Sequence, residues 1–416
     1  MRRRTRGARV RRAATAAVIA LLLAGCAAEP IDVPAGTVAA VQATQTSTPA
    51  PSRPPTVTPT PTPSATPSAT LTPSAVPTVA TAVWPDNAQV SHLFFHSLVV
   101  DPARAFASPE DGAGYLDYMV TKDEFAALLE QVYANGYVLV SPHDLYERAV
   151  DGTVTPQPLA LPVGKKPLVI SQDDVDYYEY MEGDGFADAL VLDRNGDVRT
   201  RYTDASGRTR VGADDLVPIV DDFVAAHPDF SFQGAKGVIA LTGYNGVLGY
   251  RTSRLAYGDT NPRIEQDTAD ATAVAAAMTA DGWEFASHSW GHIDMRESSM
   301  ERITADVGKW RDEVQPIVGA TDLFVYPFGA DIAGVGGYSG ATYDLLAAEG
   351  FTAFFTVDAS RPAWGQWGPG YLREARINVD GISLRAAIEG RNDTLYSFFD
   401  PASVLDPARP PSISGE

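Results

Sequence analysis

The chain has 416 residues, and its 32 basic against 52 acidic side chains give a formal charge of −20. With 45% hydrophobic residues it can bury a large core, which excludes a wholly disordered chain. The acidic balance argues against nonspecific binding to nucleic acid, and a single Cys excludes both an intramolecular disulfide and a zinc site built from cysteines.

The N-terminus is typical of an exported protein. Residues 1–25 contain seven Arg, then an apolar run that is too short to span the roughly 30 Å core of a bilayer, then small residues. Residues 23–26 (LAGC) resemble a bacterial lipobox, which implies cleavage before Cys26, acylation of Cys26 and anchoring at the extracytoplasmic face of the cell membrane. An ordinary secretory signal with a chance Cys is the alternative.

Residues 26–83 are expected to form a disordered tether. They consist largely of Thr, Pro, Ser and Ala, so they cannot bury enough apolar surface to offset the entropy of ordering, and proline favours an extended chain. From about Trp84 onward, the composition is typical of a globular protein. Residues 84–416 are therefore expected to form one domain, a monomer held away from the membrane.

Short apolar strands that end in polar residues alternate with helices along this domain. Strands are predicted for the segments SHLFFHS, VLVS, KKPLVISQDD, GVIALTGYNG, EFASHSWGH, LFVYPFGAD, TAFFTVD and EARINVD. Helices are predicted for TKDEFAALLEQVYANGY, ADATAVAAAMTADGW, SMERITADVGKWRDEVQPIV and TYDLLAAEG. The alternation indicates an α/β protein, either a barrel or a doubly wound sheet.

Residues 175–235 interrupt the alternation. They are polar and rich in Asp, and ALVLDRNGDVRTRYTDASGRTRV predicts a small hairpin or meander. Its turns are expected at Asn195-Gly196 and Ser206-Gly207.

The strongest chemical signals lie at three strand ends: Asp173 and Asp174, His288 and His292, and the YPFG segment at residues 326–329. Two His four residues apart can bind one metal ion together with a carboxylate from another strand, and such a site keeps positions open for water and substrate. A second carboxylate beside the ligand can accept a proton from the attacking water. Each pair alone is weak evidence, but their shared position at strand ends makes the combination specific.

Over residues 90–380, apart from the interruption, the sequence resembles the polysaccharide deacetylases of the NodB-homology type, carbohydrate esterase family 4. LVISQDD stands where the family has an apolar strand ending in Phe-Asp-Asp, HSWGH matches its His-Ser/Thr-x-x-His, and YPFG matches its aromatic-rich Pro-Tyr segment. EFAALLEQVYANGYVLVSPHDL resembles the helix and strand before the catalytic strand of exported members. The resemblance implies a single distorted (β/α) barrel with a small polar, β-rich insertion at 175–235.

The resemblance also implies a role for each motif residue. Asp174, His288 and His292 would hold a divalent metal ion, with zinc as the expected ion. Asp173 would be the general base for the water that attacks an N-acetyl group. The backbone N–H of Phe328 would help to hold the oxyanion.

Two positions depart from the family pattern. The Arg usually found two residues before the proline, where it orients the base, is Val325 here, and the C-terminal Leu-x-His that supplies the general acid in most members is absent. A permuted branch of exported deacetylases acting on poly-N-acetylglucosamine carries its acid His in an early strand, so His96 is the predicted acid. A His that only packs at the barrel rim is the alternative. Among the others, His92 remains a candidate, whereas His143 and His227, each beside a proline, are expected to be structural.

Six further residues are candidates for substrate contact, because they lie at strand ends or in a Gly-rich loop where aromatic rings can stack on sugars. Ordinary packing at the barrel rim is the alternative for each. They are Tyr244, Asn245, Tyr326, Pro327, Trp364 and Trp367.

The resemblance thus predicts a membrane-tethered, metal-dependent hydrolase that removes N-acetyl groups from an N-acetylglucosamine-containing extracellular glycan of the peptidoglycan or poly-N-acetylglucosamine type. An O-acetyl esterase acting on a polysaccharide is the alternative within the same chemistry. A lipoprotein that binds glycan without catalysis is the alternative of a different class, and the complete set of ligands and base argues against it.

Overall fold

The computed structural model describes residues 79–412. The predicted signal peptide, the predicted acylation site Cys26 and nearly all of the predicted tether lie outside the described residues. Within the described residues, no helix has the length and apolar character needed to cross a bilayer.

Residues 79–412 form sixteen β-strands and eleven α-helices. The strands are β1 Thr81–Val83, β2 Ser91–Phe95, β3 Tyr137–Leu139, β4 Tyr146–Arg148, β5 Val154–Pro156, β6 Ala160–Pro162, β7 Lys166–Asp173, β8 Ala189–Leu192, β9 Val198–Thr203, β10 Thr209–Gly212, β11 Gly237–Leu241, β12 Trp283–Ser287, β13 Leu323–Val325, β14 Ala353–Val357, β15 Gly365–Gly368 and β16 Tyr371–Asn378. The helices are α1 Pro102–Ala105, α2 Gly112–Tyr118, α3 Lys122–Ala134, α4 Leu216–Ala226, α5 Arg254–Tyr257, α6 Ile264–Ala280, α7 Met300–Glu313, α8 Gln315–Val318, α9 Ala341–Ala348, α10 Gly381–Ile388 and α11 Pro401–Val404.

Seven of the strands close into a parallel barrel, in the order β2, β7, β11, β12, β13, β14 and β16, with β16 pairing back to β2. The predicted (β/α) barrel is therefore confirmed. Strand β3 pairs with the first half of β7, and β15 pairs antiparallel with the first half of β16, both beside the closed ring. Because the seven strands are parallel, all their C-terminal ends lie at the same end of the barrel.

Successive side chains of each barrel strand point alternately inward and outward. On β7, Val169 lies in an apolar cluster with inward-facing residues of the other barrel strands and residues of β3–β6, whereas Leu168 and Ile170 lie in a cluster shared with helices α3, α4, α6 and α7. On β11, Val238 is likewise inside and Ile239 outside. We call the second cluster the outer apolar cluster.

Helix α3 shows how the outer apolar cluster forms. The Thr121 side chain accepts a hydrogen bond from the Glu124 N–H, and the Glu124 carboxylate accepts one from the Thr121 N–H, a capping box that fixes the start of the helix. Gly136, at a φ of 81°, follows the last turn. The predicted apolar stripe is buried, and each of its side chains stabilises the fold by roughly 1.5–3 kcal/mol. The stripe consists of Phe125, Leu128, Leu129 and Val132.

The interruption at residues 175–235 contains the antiparallel meander β8–β9–β10 and helix α4. Its two turns lie where they were predicted, with Gly196 and Gly207 at φ values of 90° and 80°. The segment is less uniformly polar than expected, because Leu216 and Val217 of α4 are fully buried in the outer apolar cluster. Its last part therefore belongs to the helical layer of the barrel.

Strand β1 lies within the predicted tether. Thr81–Val83 pairs antiparallel with Ala160–Pro162, so regular structure begins three residues before Trp84. The side chains of β1 are exposed, and the strand is held by backbone hydrogen bonds to β6. Exposed Thr and Ala carry no hydrophobic signal, which is why the composition placed the boundary later.

His143 links two strands at the N-terminal end of the barrel, opposite the predicted site. Its Nδ1 lies 2.8 Å from Glu284 Oε1 in β12, and its Nε2 lies 2.7 Å from Asp322 Oδ1 beside β13. Burial alone would lower the pKa of His143, but hydrogen bonds and charge from the two carboxylates outweigh it and raise the pKa to about 10.

We expect His143→Gln to destabilise the protein most below neutral pH. Because the pKa of His143 is about 10 in the folded chain and about 6.5 in the unfolded chain, the stabilisation is fully present below about pH 6.5 and is lost as the pH rises through 10. Since 45% of the side chain is exposed, solvent screening limits the effect to about 1 kcal/mol. Urea unfolding across this range should show the difference between wild type and variant shrinking with pH. A difference that stays constant would contradict the ion-pair role.

Candidate active site

The C-terminal ends of β7 and β12 bring the predicted metal ligands together. Asp174 directly follows β7, His288 directly follows β12, and His292 lies four residues further along the loop. One ligand atom from each side chain lies within 4.8 Å of the other two. Because zinc binds such donors at about 2.0–2.2 Å, small side-chain adjustments suffice for all three to share one ion.

His288 is oriented by a backbone carbonyl. Its Nδ1 lies 2.9 Å from the Val325 carbonyl oxygen, to which only a protonated Nδ1 can donate, and this leaves the Nε2 lone pair free for a metal. The ring is buried, and burial lowers the pKa of His288, which favours the neutral form that binds metals.

Asp174 is oriented by a tyrosine. The Tyr178 hydroxyl donates to Asp174 Oδ1 at 2.6 Å, while Asp174 Oδ2 lies 3.9 Å from His292 Nε2. The Tyr178 oxygen also lies 3.0 Å from the Thr242 hydroxyl, which donates to the buried Asp176. These outer contacts hold the carboxylate towards the two imidazoles, and the sequence motifs did not reveal them.

The donor set fits a catalytic divalent metal ion. Two imidazoles and one carboxylate leave coordination positions for water and substrate, whereas structural zinc sites use four protein ligands. The fixed tautomer of His288 and the hydrogen bond to Asp174 provide the outer support that metal ligands normally have.

Backbone strain is concentrated around this cluster. Within residues 79–412, seven non-glycine residues have a positive φ, and four of them are Asp174 (59°), Ser289 (56°), His292 (49°) and Phe328 (58°). Each such conformation costs roughly 1–3 kcal/mol and persists only where the surroundings impose it. The loops that carry the ligands are thus held in shapes that their local sequence disfavours.

Asp173, the predicted base, is held by a buried arginine. Arg376 donates from Nη1 to Asp173 Oδ1 at 2.6 Å and from Nη2 to Oδ2 at 2.8 Å, and both side chains are almost completely buried. Asp173 Oδ2 also lies 3.8 Å from His288 Nε2, beside the cluster of predicted metal ligands. Burial alone would raise the pKa of Asp173, but the charge of Arg376, its hydrogen bonds and the nearby His288 together outweigh burial and hold the pKa well below its usual range.

Arg376 supplies from β16 the contact that the sequence lacks at Val325. The expected loss of the orienting Arg is therefore corrected: Val325, the last residue of β13, packs in the apolar cluster that contains Val169, and the guanidinium comes from a different strand. Arg376 was not predicted, because the orienting Arg was expected two residues before Pro327. The available signal was the pair of charged residues Glu374 and Arg376 within the predicted buried strand EARINVD. Charged side chains are rarely buried unless they are paired, so both residues indicated partners inside the fold.

A column of buried polar groups continues below the base. Arg376 Nη1 also donates to Ser171 Oγ at 3.1 Å, Ser171 Oγ lies 2.9 Å from His92 Nε2, and His92 Nδ1 lies 3.4 Å from Glu374 Oε2. Burial raises the pKa of Glu374 to about 8 and lowers that of His92. His92 is fully buried inside the barrel, so it is unavailable as the general acid of a substrate reaction.

His96 lies at the end of β2, between β7 and β16 in the ring. It is only partly buried, and its Nδ1 is buried without a hydrogen-bond partner among the described residues. The Gln172 side chain, next to Asp173 in β7, donates to the His96 carbonyl oxygen at 3.3 Å, which places His96 near the base.

The structure does not bring all six predicted substrate contacts to the cluster. Tyr326 is fully buried among the outer aromatic residues and Pro327 is buried as well, so these two predictions are not supported. Trp367 pairs with Leu372 at the start of β16, at the opposite end of the barrel, and Trp364 packs near the Arg373 guanidinium.

Phe328, the predicted oxyanion residue, and the two remaining predicted contacts lie near the cluster. Phe328 is 71% exposed, and its ring contacts His292 with centroids 4.3 Å apart. Tyr244 is partly exposed and stacks on Tyr178. Asn245 is partly exposed, but its side-chain amide is engaged with the Glu179 N–H and the Tyr257 hydroxyl.

Comparison with known families agrees with this geometry. Residues 254–358 match the family model described as polysaccharide deacetylase, a segment of 105 residues that includes both His ligands and the YPFG segment. The predicted family resemblance and the predicted class of enzyme are confirmed by this match. Asp173, Asp174 and His96 lie outside the matched segment.

No curated protein sequence matches the chain significantly. A solved structure, "Streptococcus pyogenes deacetylase PplD in complex with acetate", is similar with a TM-score of 0.39 and 17% identity, over 70% of this chain and 93% of that chain. A similarity of that degree supports no functional argument.

We expect His288→Ala to weaken zinc binding by more than about 100-fold, because it removes a ligand whose lone pair is already oriented. Calorimetric titration of Zn²⁺ into metal-free protein measures this affinity. His227→Ala is the matched control, since His227 packs against Tyr133 and Phe223 away from the cluster. Equal zinc affinity in the two variants would contradict the proposed ligand set.

We expect Arg376→Met to destabilise the protein by about 3–5 kcal/mol, because it leaves the Asp173 carboxylate buried without a partner. The double variant Asp173→Asn/Arg376→Met should be more stable than Arg376→Met alone, since no buried charge remains. The free energies of unfolding of the wild type, the two single variants and the double variant give the coupling energy between the two side chains. If the changes in the two single variants add up to the change in the double variant, the ion pair does not hold the base.

Proposed function

We propose that this chain is a metal-dependent deacetylase that removes N-acetyl groups from an N-acetylglucosamine-containing extracellular glycan. The observation that carries the proposal is the meeting of three metal-binding side chains, Asp174, His288 and His292, with the Asp173–Arg376 pair at one end of the barrel. A protein that only bound glycan would have no use for a buried, charged base next to such a cluster.

The metal, with zinc as the expected ion, would be held by Asp174, His288 and His292 and would supply Lewis acidity that polarises the acetyl carbonyl. Asp173 accepts the proton of the attacking water at Oδ2, the oxygen nearer to His288. Each carboxylate oxygen has two acceptor positions, so Arg376 can occupy one on each while the other stays free. Arg376 thereby keeps the base aligned and ionised.

Phe328 is proposed to stabilise the oxyanion through its backbone N–H. Its left-handed φ of 58°, just before Gly329, turns the backbone of the loop after β13 next to His292. The contribution requires only the backbone, so a Phe side chain at this position is compatible with it.

His96 is proposed as the general acid that gives its proton to the departing nitrogen. Its position at the end of β2, beside the two strands that carry Asp173 and Arg376, supports this role. An amine leaving group needs that proton more than an alkoxide does, so the acid matters most for N-deacetylation. An O-acetyl esterase remains the second candidate, because the same ligands and base serve both reactions.

The predicted lipid anchor on Cys26 and the extracytoplasmic location complete the proposal. A tether of nearly 60 residues would let the barrel reach polymers away from the bilayer surface, and peptidoglycan or poly-N-acetylglucosamine are substrates of the expected kind.

Release of acetate tests the proposed activity directly. We expect the full-length, zinc-loaded protein to release acetate from N-acetylglucosamine oligomers or peptidoglycan, and to lose this activity on Asp173→Asn without losing zinc. Acetylated xylan serves as the O-acetyl substrate and separates the two candidate reactions. No acetate from any of these, with zinc bound, would refute the enzyme proposal.

We expect His96→Ala to lower turnover on N-acetyl substrates by about 10²–10⁴-fold, the usual contribution of a general acid, with zinc content unchanged. The loss should be smaller for O-acetyl substrates. His227→Ala should behave as wild type in the same assay. Turnover in His96→Ala equal to that of wild type would exclude the acid role.

A further inference from the structure

Three tyrosines form a stack beside the metal cluster. The ring of Tyr178 stacks against Tyr180 and Tyr244, with centroids 5.6 and 5.3 Å apart and planes inclined by only 17° and 19°. Because the Tyr178 hydroxyl donates to Asp174 Oδ1, the stack has a fixed position relative to a predicted metal ligand.

The outermost ring of the stack is open to solvent. Tyr180 is 55% exposed, whereas Tyr178 is 6% exposed. One side of the Tyr180 ring is covered by Tyr178, so the exposed area presents a flat aromatic surface at the rim of the site. Exposed aromatic rings with a rigid backing are suited to stacking on the apolar face of a sugar.

An arginine clamp fixes the segment that carries Tyr180. Arg251 donates to the carbonyl oxygens of Asp176 at 3.2 Å and Tyr177 at 2.8 Å, and to the Glu182 carboxylate at 2.9 Å. The Asn245 side chain accepts from the Glu179 N–H at 2.8 Å. The aromatic surface is thus held in place before any ligand arrives, which reduces the entropy that binding would cost.

The charge around Tyr180 is negative. Glu179 and Glu182 are 55% and 63% exposed. Burial, and after it the charges of Asp174 and Asp111, raise the pKa of the Tyr180 hydroxyl. Arg251 balances one of these carboxylates. A sugar carrying a carboxylate or phosphate would therefore be repelled here, whereas a neutral or amino sugar would not.

On the basis of the proposed function, we propose that Tyr180 is the platform of a sugar-binding subsite that holds a neighbouring residue of the glycan while another residue is deacetylated. The subsite takes uncharged N-acetylglucosamine or its deacetylated, positively charged form. The enzyme therefore acts on chains and prefers them to single sugars, and the segment that interrupts the barrel alternation provides this preference.

Binding of the N-acetylglucosamine tetramer to the metal-free full-length protein tests the subsite independently of catalysis. We expect Tyr180→Ala to weaken tetramer binding about tenfold in calorimetry, and Tyr180→Phe to bind as wild type, since the ring is retained. Tyr396→Ala is the matched control, because Tyr396 is 48% exposed and lies on the turn that contacts the start of β3. In zinc-loaded protein, Tyr180→Ala should raise KM for the tetramer and leave the monomer reaction unchanged.

Equal tetramer affinity in wild type and Tyr180→Ala, or no tetramer binding by wild type, would overturn the subsite. Tighter binding of an oligomer with carboxylate groups than of the neutral tetramer would overturn the proposed charge preference. If the tetramer binds through Tyr180 but zinc-loaded protein releases no acetate, the subsite stands and the proposed catalytic function fails.

Discussion

The buried pair of Asp173 and Arg376 is the interaction on which the site depends. Both side chains are almost completely excluded from water, and two hydrogen bonds of 2.6 and 2.8 Å join them across the barrel. Burying either charge alone would cost several kcal/mol, so each requires the other. The pair connects β7 with β16, and it fixes the carboxylate at the place where the predicted metal ligands converge.

The inside of the barrel combines apolar and polar side chains. Apolar side chains such as Val169, Val238 and Leu372 fill part of it, as in an ordinary barrel core. Beside them lies the column that leads from Arg376 through Ser171 and His92 to Glu374, with Ser171 in register with Val238. Such a column is less favourable than apolar packing, and it begins at the arginine that holds Asp173.

The loops above the barrel show the same compromise between stability and geometry. Asp174, Ser289, His292 and Phe328 adopt left-handed conformations that non-glycine residues avoid, and hydrogen bonds from Tyr178 and to the Val325 carbonyl hold the ligands in place. The segment after β7 adds the tyrosine stack, clamped by Arg251, at the edge of the same cluster.

The sequence by itself determined the alternation of strands and helices, the apolar stripe of α3, the turns of the meander, and the candidate ligands Asp174, His288 and His292, because periodicity, turn residues and motif spacing are local properties. It did not reveal Arg376, which is 203 residues from Asp173, nor the burial of Tyr326, nor the distance of Trp367 from the site. Those features follow from closure of the barrel, which decides which distant strands become neighbours and which end of each strand faces the cluster. Only the tertiary structure could decide them, since the burial and the partners of a charged or aromatic side chain depend on which strands lie next to it in the barrel.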